Sequence, residues 1–417
     1  MRILFLSSTW PSPPNNGSRM RTWALLRALA ANGHRIVYLG IASPHEIQAN
    51  GSPVHRLCEQ AFAIPRDAET PPGLRVHLSR ARNLLSRKPH SVEATRSKSA
   101  AQRIRELLDS GRIDAVFCEQ TQPLINVPDP LPVPLFLDNH NAEHVIWQRF
   151  LLHARDPVAR LYARLESEKL REWERRSCER AKLAITCSEQ DRSILQALCS
   201  STPFFVVPNA LDTDRYLPAS QEEPFKALFQ GGMDWYPNRD AVQHFVRLIL
   251  PEIRRRVPGI EFVVAGRNPS HAFRRRLARA PHVRFTGTLE DIRPEVAGAA
   301  VCVVPLRIGS GTRLKILEAA AMGKAIVSTR LGAEGLEFRH NEEIILANDP
   351  SDFAQAVVGL MGDARRRNRL GLNARKRVEE QYSFPVLCKT LEGAMAVVPE
   401  AQAPDPRERC PAGAPLS

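Results

Sequence analysis

The sequence predicts an α/β protein made of two doubly wound domains. Short apolar runs of strand length alternate with longer helical patterns along nearly the whole chain. These runs are apolar throughout, which is typical of parallel strands that are buried on both faces of a sheet. The alternation occurs in two consecutive series, and 417 residues are enough for two separate cores.

The strands of both series can be placed from their apolar runs. The first series is predicted at residues 3–6, 35–41, 115–118, 135–138, 183–187 and 204–207. Helical spacing between them is clearest at Trp23, Leu26 and Leu29. A charged stretch at 160–182 is predicted to be a solvated helix with an apolar seam. The second series is predicted at residues 227–229, 261–265, 283–286, 301–305, 325–328 and 344–346.

The polar, turn-rich stretch PASQEEP at 218–224 predicts where the two domains divide. The expected domains are residues 1–217 and 218–398, and the last helix of the second is expected to pack back on the first. Residues 399–417 are rich in proline and are predicted to be a disordered tail.

Composition and charge narrow the functional classes. The formal net charge of +13 favours an anionic partner, which could be nucleic acid, an acidic membrane surface or a phosphorylated ligand. No apolar stretch approaches the roughly 18–20 residues of a membrane span, and the N-terminal apolar run is too short for a secretory signal. The scattered cysteines include no CxxC pair. We therefore expect a cytoplasmic protein without structural zinc.

Ligands of open α/β sheets bind at the carboxyl ends of the strands, so the loops after strands are the candidate sites. Gly17 follows the first strand and precedes a helix, where its backbone could approach an anion; the alternative is a glycine that merely permits a turn. Gly232 follows the first strand of the second domain, and Asn238 is placed to cap a helix beginning near Arg239. Asp234 has no paired carboxylate suited to a metal-bound diphosphate.

Titratable side chains crowd the loop after the strand at 135–138. Asp138, His140, Asn141 and Glu143 follow one another there, which is unusual for packing alone. His140 could exchange a proton near neutral pH. The alternative is a helix cap with an exposed histidine beside it.

The most informative loop follows the strand at 301–305. A turn of small residues precedes a helix that is predicted to end at Met322, and unpaired amides at such a helix start attract anions. Arg313 and Lys315 add positive charge for a diphosphate, and Glu318 offers a carboxylate to sugar hydroxyls. The alternative is a Lys315–Glu318 pair on the surface. The residues of the turn are Gly309, Ser310, Gly311 and Thr312.

Taken in order, these motifs resemble the family-4 (group 1) retaining glycosyltransferases of GT-B fold. The resemblance covers roughly residues 1–390. It is carried by the opening loop, the Gly33-His34 turn, SEQDR, VVPNALD, QGGMDWYPNRDAV, VVAGRNP, VRFTGTLEDI and GSGTRLKILEAAAMGKAIVST. It implies GT-B architecture, in which two Rossmann-like domains, an acceptor-side domain and a nucleotide-sugar domain, face an interdomain cleft.

The resemblance also implies roles for individual residues. Glu318 matches the second Glu of the family's E-x7-E pattern, which holds the nucleotide ribose, whereas the first Glu is replaced by Ser310. Arg313 and Lys315 substitute for diphosphate-binding residues found elsewhere in the family, as in a subgroup that shares MDWxPN and GTRLK and resembles exopolysaccharide sugar transferases. His140 resembles the histidine near the donor sugar and acceptor, where it would bond the sugar or help the acceptor lose its proton.

The expected reaction is therefore sugar transfer from a nucleotide-sugar donor to a hydroxyl of a glycan or lipid-linked acceptor, with no metal or other cofactor. Alternatives are a nucleotide-sugar epimerase or a phosphorylase of the same fold and a basic nucleic-acid-binding protein, although no recognised reading module is present. An NAD-dependent oxidoreductase would need GxGxxG after the first strand, which is missing.

Nine basic residues and one acidic residue lie between positions 75 and 105. This basic segment has a partly apolar side and could rest on anionic lipid, which would place the protein peripherally on the inner face of the membrane. The alternative is a solvated basic face. No nucleic-acid partner is expected.

Overall fold

The protein contains two parallel sheets, each covered by helices. The structure is a computed structural model, and it describes residues 1–42, 53–67, 83, 86–154, 156–218, 222–267, 270–278, 280 and 282–396. The predicted tail at 399–417 and residues 75–82, 84 and 85 of the basic segment at 75–105 lie outside these residues.

The first sheet has seven strands in the order β3-β2-β1-β4-β5-β6-β7, and all neighbouring pairs are parallel. Its strands are β1 (Arg2–Ser7), β2 (Arg35–Ala42), β3 (Gln60–Pro65), β4 (Ala115–Glu119), β5 (Leu135–Asn139), β6 (Leu183–Thr186) and β7 (Phe204–Val206). The predictions match six of these strands to within one residue at each end. They missed β3, a half-buried edge strand whose sequence QAFAIP lacks a continuous run of large apolar residues.

The second sheet has six strands in the order β10-β9-β8-β11-β12-β13, again all parallel. Its strands are β8 (Glu223–Gln230), β9 (Glu261–Ala265), β10 (Val283–Gly287), β11 (Ala299–Val304), β12 (Ala325–Ser328) and β13 (Ile345–Leu346). All six were predicted. The largest shift is in β8, which begins four residues earlier than predicted because its first three residues are exposed and interrupt the apolar run with a glutamate and a proline.

Helices connect the parallel strands and cover both sheets. Those of the first half are α1 (Gly17–Ala31), α2 (Pro53–Leu57), α3 (His90–Glu93), α4 (Lys98–Asp109), α5 (Glu143–His153), α6 (Pro157–Arg180) and α7 (Glu189–Gln196). Those of the second half are α8 (Tyr236–His244), α9 (Leu250–Arg256), α10 (His271–Ala278), α11 (Arg293–Gly298), α12 (Leu314–Ala321), α13 (Pro350–Gly362), α14 (Ala364–Gln381) and α15 (Phe384–Ala396). Among the described residues, none of the helices is both long and apolar enough to cross a membrane.

The last helix returns to the first sheet. Leu387, Leu391, Ala394 and Met395 of α15 are buried in the core that also contains Leu26 of α1. The chain therefore crosses between the two halves twice, once before β8 and again before α15. The domain boundary at 217/218 remains a prediction, since residues 219–221 lie outside the described part of the chain.

The charged helix α6 is less solvated than its sequence predicted. Glu166 and Glu174 are each 1% exposed. Glu166 Oε2 accepts from the His90 amide at 2.9 Å, and Glu174 Oε2 lies 2.5 Å from His144 Nδ1. Carboxylates can be buried when polar partners satisfy them, so α6 contacts the domain through charged side chains as well as an apolar seam.

Most of the described cysteines are buried free thiols. Cys58, Cys118, Cys178, Cys187, Cys199 and Cys302 are free and buried, and Cys388 is half-buried. Burial raises the pKa of the Cys58 thiol to about 12 and that of Cys302 to about 12 as well. These side chains therefore act as small apolar groups in the two cores.

Candidate active site

The carboxyl ends of the two sheets meet at the loops after β5 and β11. Gly311 lies against the first domain so closely that an added Cβ would be 2.8 Å from the His140 carbonyl oxygen. Gly17, at the start of α1, faces α12, since a Cβ there would lie 3.5 Å from Leu314 Cδ1. The structure thus brings together predicted residues from both halves of the chain.

Arg313 is the N-cap of α12 and is 4% exposed. Its Nη1 donates to the carbonyl oxygens of Ser310 and Gly311, which holds the preceding turn in place. The Nε and Nη2 atoms are buried and have no hydrogen-bond partner among the described residues. Buried donors of this kind are costly unless a ligand satisfies them. Burial lowers the pKa of Arg313 to about 10, so the guanidinium stays charged at neutral pH.

Lys315 is the second residue of α12, two positions after Arg313. Its Nζ donates to Asn238 Oδ1 at 2.8 Å and stands 4.2 Å from the centroid of the Phe229 ring. Burial, together with the nearby charge of Arg313, lowers the pKa of Lys315 to about 7. The sequence predicted a fixed positive charge at the mouth of the site. The structure instead gives a half-buried lysine whose amine is only partly protonated at neutral pH.

Glu318 lies on the same helix at the next turn. Its carboxylate accepts from the Tyr216 hydroxyl at 3.1 Å and from Gln230 Nε2 at 2.6 Å. Burial raises the pKa of Glu318 to about 7, with the Tyr216 hydrogen bond opposing this shift. Lys315 and Glu318 are both turned into the structure and bound to other side chains, so the alternative of a surface ion pair is not seen.

The low pKa of Lys315 predicts proton uptake when a nucleoside diphosphate binds. A diphosphate favours the charged amine and should raise its pKa above about 7. At pH 8 the free protein holds mostly neutral Lys315, so binding should take up close to one proton per site; at pH 6 Lys315 is already protonated and uptake should vanish. Titration calorimetry of uridine or guanosine diphosphate in buffers of different ionisation enthalpy measures this difference.

Lys315→Met is the control for that titration. It should abolish proton uptake at pH 8 and weaken diphosphate affinity, because it keeps the length of the side chain without its amine. Equal uptake by Lys315→Met and the parent protein would show that another group titrates.

Asn238 does not cap a helix as predicted. The helix α8 begins at Tyr236, with Trp235 as its N-cap, so Asn238 lies in the first turn. Its Nδ2 donates to the Gly232 carbonyl at 2.9 Å while its Oδ1 accepts from Lys315. Pro237 in the first turn accounts for the earlier start, since proline is favoured there. Asn238 therefore links the Gly232 loop to the amine of Lys315.

Of the two glycines in the predicted loop, Gly231 lies closer to the Lys315 amine than Gly232 does. A Cβ on Gly231 would be 3.0 Å from Lys315 Nζ and 2.7 Å from Asn238 Nδ2. Gly232 lies instead beside the Asp234–Arg267 ion pair, whose Nε–Oδ2 distance is 3.2 Å. The double glycine in the sequence indicated the loop without showing which glycine faces the site.

His140 is surrounded by buried carboxylates. Its Nε2 lies 2.8 Å from Glu119 Oε1 and 3.4 Å from Asp138 Oδ2, and Asp138 also pairs with Arg21 at 2.5 Å. Burial by itself lowers the pKa of an imidazole, but Glu119 and Asp138 outweigh it and raise the pKa of His140 to about 9. The imidazole is therefore protonated at neutral pH. Glu119 and Arg21 were not among the predicted site residues.

The turn after β11 is held by side chains of the first domain. Asn209 Nδ2 donates to Thr312 Oγ1 at 2.5 Å, and Ser310 Oγ donates to Asp191 Oδ1 at 3.4 Å. Arg149 Nη1 donates to the Gly309 carbonyl. The predicted residues of this turn are thus in contact with partners that are more than 100 positions away in the chain.

A second contact closes the two halves near the same turn. Arg149 of α5 binds Glu334, in the loop after β12, through both guanidinium nitrogens at 2.5 and 2.6 Å. Gln190 of α7 also donates to Glu334 Oε1 at 2.5 Å. Bidentate arginine–carboxylate pairs are strong and directional, so this cluster favours the closed arrangement of the cleft. An arginine within the largely apolar stretch EHVIWQRFLLH was the one sequence signal for it.

Within the described ranges, no group of three or more His, Cys, Asp or Glu side chains is arranged to hold a metal ion. The carboxylates near His140 are instead bound to arginine, threonine or histidine partners. The site residues that carry free donors are cationic.

Family models match most of the chain in two parts. Residues 15–215 match the model described as Glycosyltransferase Family 4, and residues 224–363 match that described as Glycosyl transferases group 1. The chain belongs to the group 1 glycosyltransferases. The family predicted from the sequence motifs is confirmed, and with it the activity class, glycosyl transfer.

The sequence relatives of this glycosyltransferase differ in the fraction of the chain that they match. A Klebsiella pneumoniae protein named "Uncharacterized 44.6 kDa protein in cps region" is 22% identical over 91% of this chain and 96% of its own length. The GDP-mannose-dependent alpha-(1-6)-phosphatidylinositol monomannoside mannosyltransferase of Mycobacterium tuberculosis is 29% identical over 44% of this chain. This chain covers about half of that relative, 54% of its length.

Solved structures of low sequence identity share the fold. Sucrose-phosphate synthase from Thermosynechococcus elongatus has a TM-score of 0.72 at 17% identity, over 95% of this chain and 99% of its own. Anabaena Alr3699/HepE, solved in complex with UDP and glucose, has a TM-score of 0.65 at 13% identity, over 95% of this chain and 99% of its own. The predicted GT-B architecture of two Rossmann-like domains is confirmed.

Proposed function

We propose that this glycosyltransferase moves a sugar from a nucleoside diphosphate donor to a hydroxyl of a glycan or lipid-linked acceptor. The observation that carries the proposal is the pair of basic side chains at the start of α12, buried Arg313 and half-buried Lys315, with Glu318 on the next turn. A diphosphate would satisfy the unpartnered donors of Arg313, and the Glu318 carboxylate would accept from ribose hydroxyls.

In this mechanism the cations stabilise the leaving group. Negative charge grows on the diphosphate as the glycosidic bond breaks, and donors already in place lower the free energy of that transition state. Lys315 contributes most when protonated, a state that the diphosphate itself promotes. We propose that these side chains take the place of a metal ion, and that configuration at the transferred sugar is retained, as the family resemblance implies.

His140 acts in this proposal as a hydrogen-bond donor through Nδ1, because Nε2 faces the Glu119 carboxylate. Nδ1 lies 3.1 Å from Gln120 Nε2, and a ligand oxygen would replace that contact. With a pKa of about 9 His140 holds its proton at neutral pH and cannot accept one from the acceptor hydroxyl. Of the two roles that the resemblance implied, bonding to an oxygen of the donor sugar or the acceptor therefore fits better than general base catalysis. Gly17, Gly231 and Asn238 shape the donor pocket around the diphosphate, and Gly232, which was predicted for this role, lies beside the Asp234–Arg267 pair instead.

The acceptor is proposed from the sequence relatives. The relative that matches nearly the whole chain is a cps-region protein, and the mycobacterial relative is named for a phosphatidylinositol mannoside acceptor. The motif subgroup resembles exopolysaccharide sugar transferases. We therefore assign the chain to exopolysaccharide or cell-surface polysaccharide assembly, acting in the cytoplasm on acceptors at the inner face of the membrane.

A donor screen tests this function. Purified protein is incubated with each common nucleotide sugar, with and without lipid and glycan acceptors, and release of nucleoside diphosphate is measured. We expect release with one donor that increases several-fold when the acceptor is added. An epimerase would instead give an isomeric nucleotide sugar from donor alone, which mass spectrometry with chromatography identifies. No turnover of any donor by folded protein would refute the proposal.

We also propose that the basic segment at 75–105 faces anionic lipid. Within its described part, Arg87, Arg96 and Lys98 are exposed, and Arg96 pairs with Glu93 at 3.0 Å. An acidic membrane surface attracts a positively charged protein segment over a distance of about one Debye length.

A further inference from the structure

A cavity of about 190 Å³, partly open to solvent, lies on the first-domain side of the candidate site. Its interior has room for about one water-sized group, such as a hydroxyl. Asn141 forms part of its wall and also faces the second domain, since an added Cβ on Gly311 would lie 2.8 Å from Asn141 Cβ. The cavity therefore adjoins the turn that precedes Arg313.

The wall of this cavity offers both a donor and an acceptor to a hydroxyl group. His140 Nδ1 lies 3.1 Å from Gln120 Nε2, and both side chains line the cavity. Asn141 Oδ1 is buried and has no hydrogen-bond partner among the described residues. Gln120 has φ +64°, a left-handed conformation that residues other than glycine rarely adopt. Because a hydroxyl both donates and accepts, the hydroxyls of a sugar match these partners.

Two of the described lining residues carry carboxyl groups, Glu143 and Glu174. Glu174 is 1% exposed and already bound, because its Oε1 accepts from the Glu143 amide at 2.6 Å and its Oε2 lies 2.5 Å from His144 Nδ1. Glu143, the first residue of α5, is half-buried. Its Oε1 accepts from Gln122 Nε2 at 2.5 Å, and its Oε2 has no hydrogen-bond partner within the part of the chain that the structure describes. Glu143 is therefore the carboxyl group with an oxygen left for a ligand.

The surroundings of Glu143 suit a group that exchanges a proton. Burial and the nearby charge of Glu174 raise the pKa of Glu143 to about 7, with the Gln122 hydrogen bond and the charge of His140 opposing this shift. A base with a pKa near the working pH is both available and strong enough to take a proton. The titratable groups on the elements around this carboxyl are Glu174 of α6, His144 of α5, His140 after β5 and Asp191 of α7, which accepts from the Ala142 amide.

We propose that the cavity receives the acceptor hydroxyl and that Glu143 takes its proton during transfer. This inference rests on the proposed function, sugar transfer from a nucleoside diphosphate donor. The acceptor oxygen bonds to the anomeric carbon while the bond from that carbon to the diphosphate oxygen breaks, and the electron pair of that bond stays on the diphosphate. The hydroxyl proton moves to Glu143 Oε2 and passes to solvent after the product leaves. His140, which is already protonated, holds a substrate oxygen and leaves the proton transfer to Glu143.

The alternative is a purely structural carboxylate that holds the start of α5 through Gln122. The variant Glu143→Gln separates the two roles, because it keeps an oxygen for Gln122 Nε2 and cannot take a proton. Release of nucleoside diphosphate is measured at saturating donor, both with the acceptor found in the screen and with water, which also loses a proton when it attacks. We expect kcat to fall about 100-fold or more, as is typical when a general base is lost. Affinity for the nucleoside diphosphate should be unchanged, because Arg313, Lys315 and Glu318 remain.

The pH dependence of kcat gives a second readout that a structural role would not change. In the parent, kcat at saturating donor should rise about ten-fold from pH 6 to pH 8, because Glu143 is mostly protonated at pH 6 and mostly ionised at pH 8. This rise should be absent in Glu143→Gln. In Glu143→Asp, which keeps a carboxyl group, the rise should return with kcat between those of the other two proteins.

Glu189→Gln is the matched control. Glu189 is likewise the first residue of a helix in the first domain, α7, but it is exposed and pairs with Arg192. This variant should keep the kcat and the pH profile of the parent. Unfolding temperatures of all variants are compared with that of the parent.

The outcomes distinguish this inference from the function on which it rests. A folded Glu143→Gln protein with parent-like kcat would overturn the role of Glu143 and leave sugar transfer standing. A lowered kcat that still rises ten-fold from pH 6 to pH 8 would do the same, because the titrating base would then be another group. A parent that releases no nucleoside diphosphate from any donor would overturn both.

Discussion

Replacing Arg313 with alanine should lower kcat for sugar transfer by about 100-fold or more. The change removes a preorganised cation from the point where leaving-group charge develops, and losses of this size are typical of such donors. It also removes the hydrogen bonds from Nη1 to the carbonyls of Ser310 and Gly311. Steady-state kinetics with the donor found in the screen measures the effect.

Two further variants separate charge from packing at this position. Arg313→Met keeps much of the volume of the side chain without its charge and should lose nearly as much activity. Arg330→Ala removes an exposed arginine of the same domain and should leave the kinetics unchanged. Unfolding temperatures of all three should be compared, because the turn is held by the guanidinium. Parent-like kinetics of Arg313→Met would refute the role assigned to this loop.

Replacing Gly311 with alanine should lower transfer by roughly 10- to 100-fold while leaving nucleoside diphosphate affinity within a few-fold of the parent value. Gly311 has φ +77°, and an added Cβ would lie 2.8 Å from both the His140 carbonyl oxygen and Asn141 Cβ. The methyl group therefore separates the two domains at the turn, where a few kcal/mol of lost closure gives a rate effect of this order. The donor-binding side chains on α12 are unchanged.

Gly287→Ala is the matched control for backbone strain. Gly287 has φ +76°, nearly the same as Gly311, but no atom lies within 4 Å of an added Cβ. Both variants place an alanine at a strained positive φ, and only Gly311→Ala adds a steric contact between the two domains. Kinetics and small-angle scattering of both proteins test this: equal losses of activity, or an unchanged radius of gyration in Gly311→Ala, would count against closure as the cause.

Local sequence patterns predicted the strands and the candidate loops. Continuous apolar runs located all but one strand, because a parallel strand covered on both faces must be apolar along its length. The small residues before α12 indicated a tight turn, and the predicted helix end at Met322 lies one residue beyond the observed end at Ala321, with Gly323 at φ +67° directly after the cap. The edge strand β3 was missed because an edge strand needs less apolar surface.

The contacts that close the cleft could not be read in the same way. Arg149 and Glu334 are 185 positions apart, and Asn209 and Thr312 are 103 positions apart. Nothing in either local stretch indicates its partner. The burial of Glu166 and Glu174 in α6 could not be predicted either, because their partners are distant in the sequence. A run of charged residues by itself predicts a solvated helix.

The two doubly wound sheets, the family and the residue types at the strand ends could be predicted from the amino-acid sequence, because these depend on spacing within short segments. The protonation of those residues depends on the folded protein. Lys315 has a pKa of about 7 because it is buried beside Arg313, and His140 has one of about 9 because Glu119 and Asp138 surround it. Burial and the distance between charges set these values, and both exist only once the chain is folded.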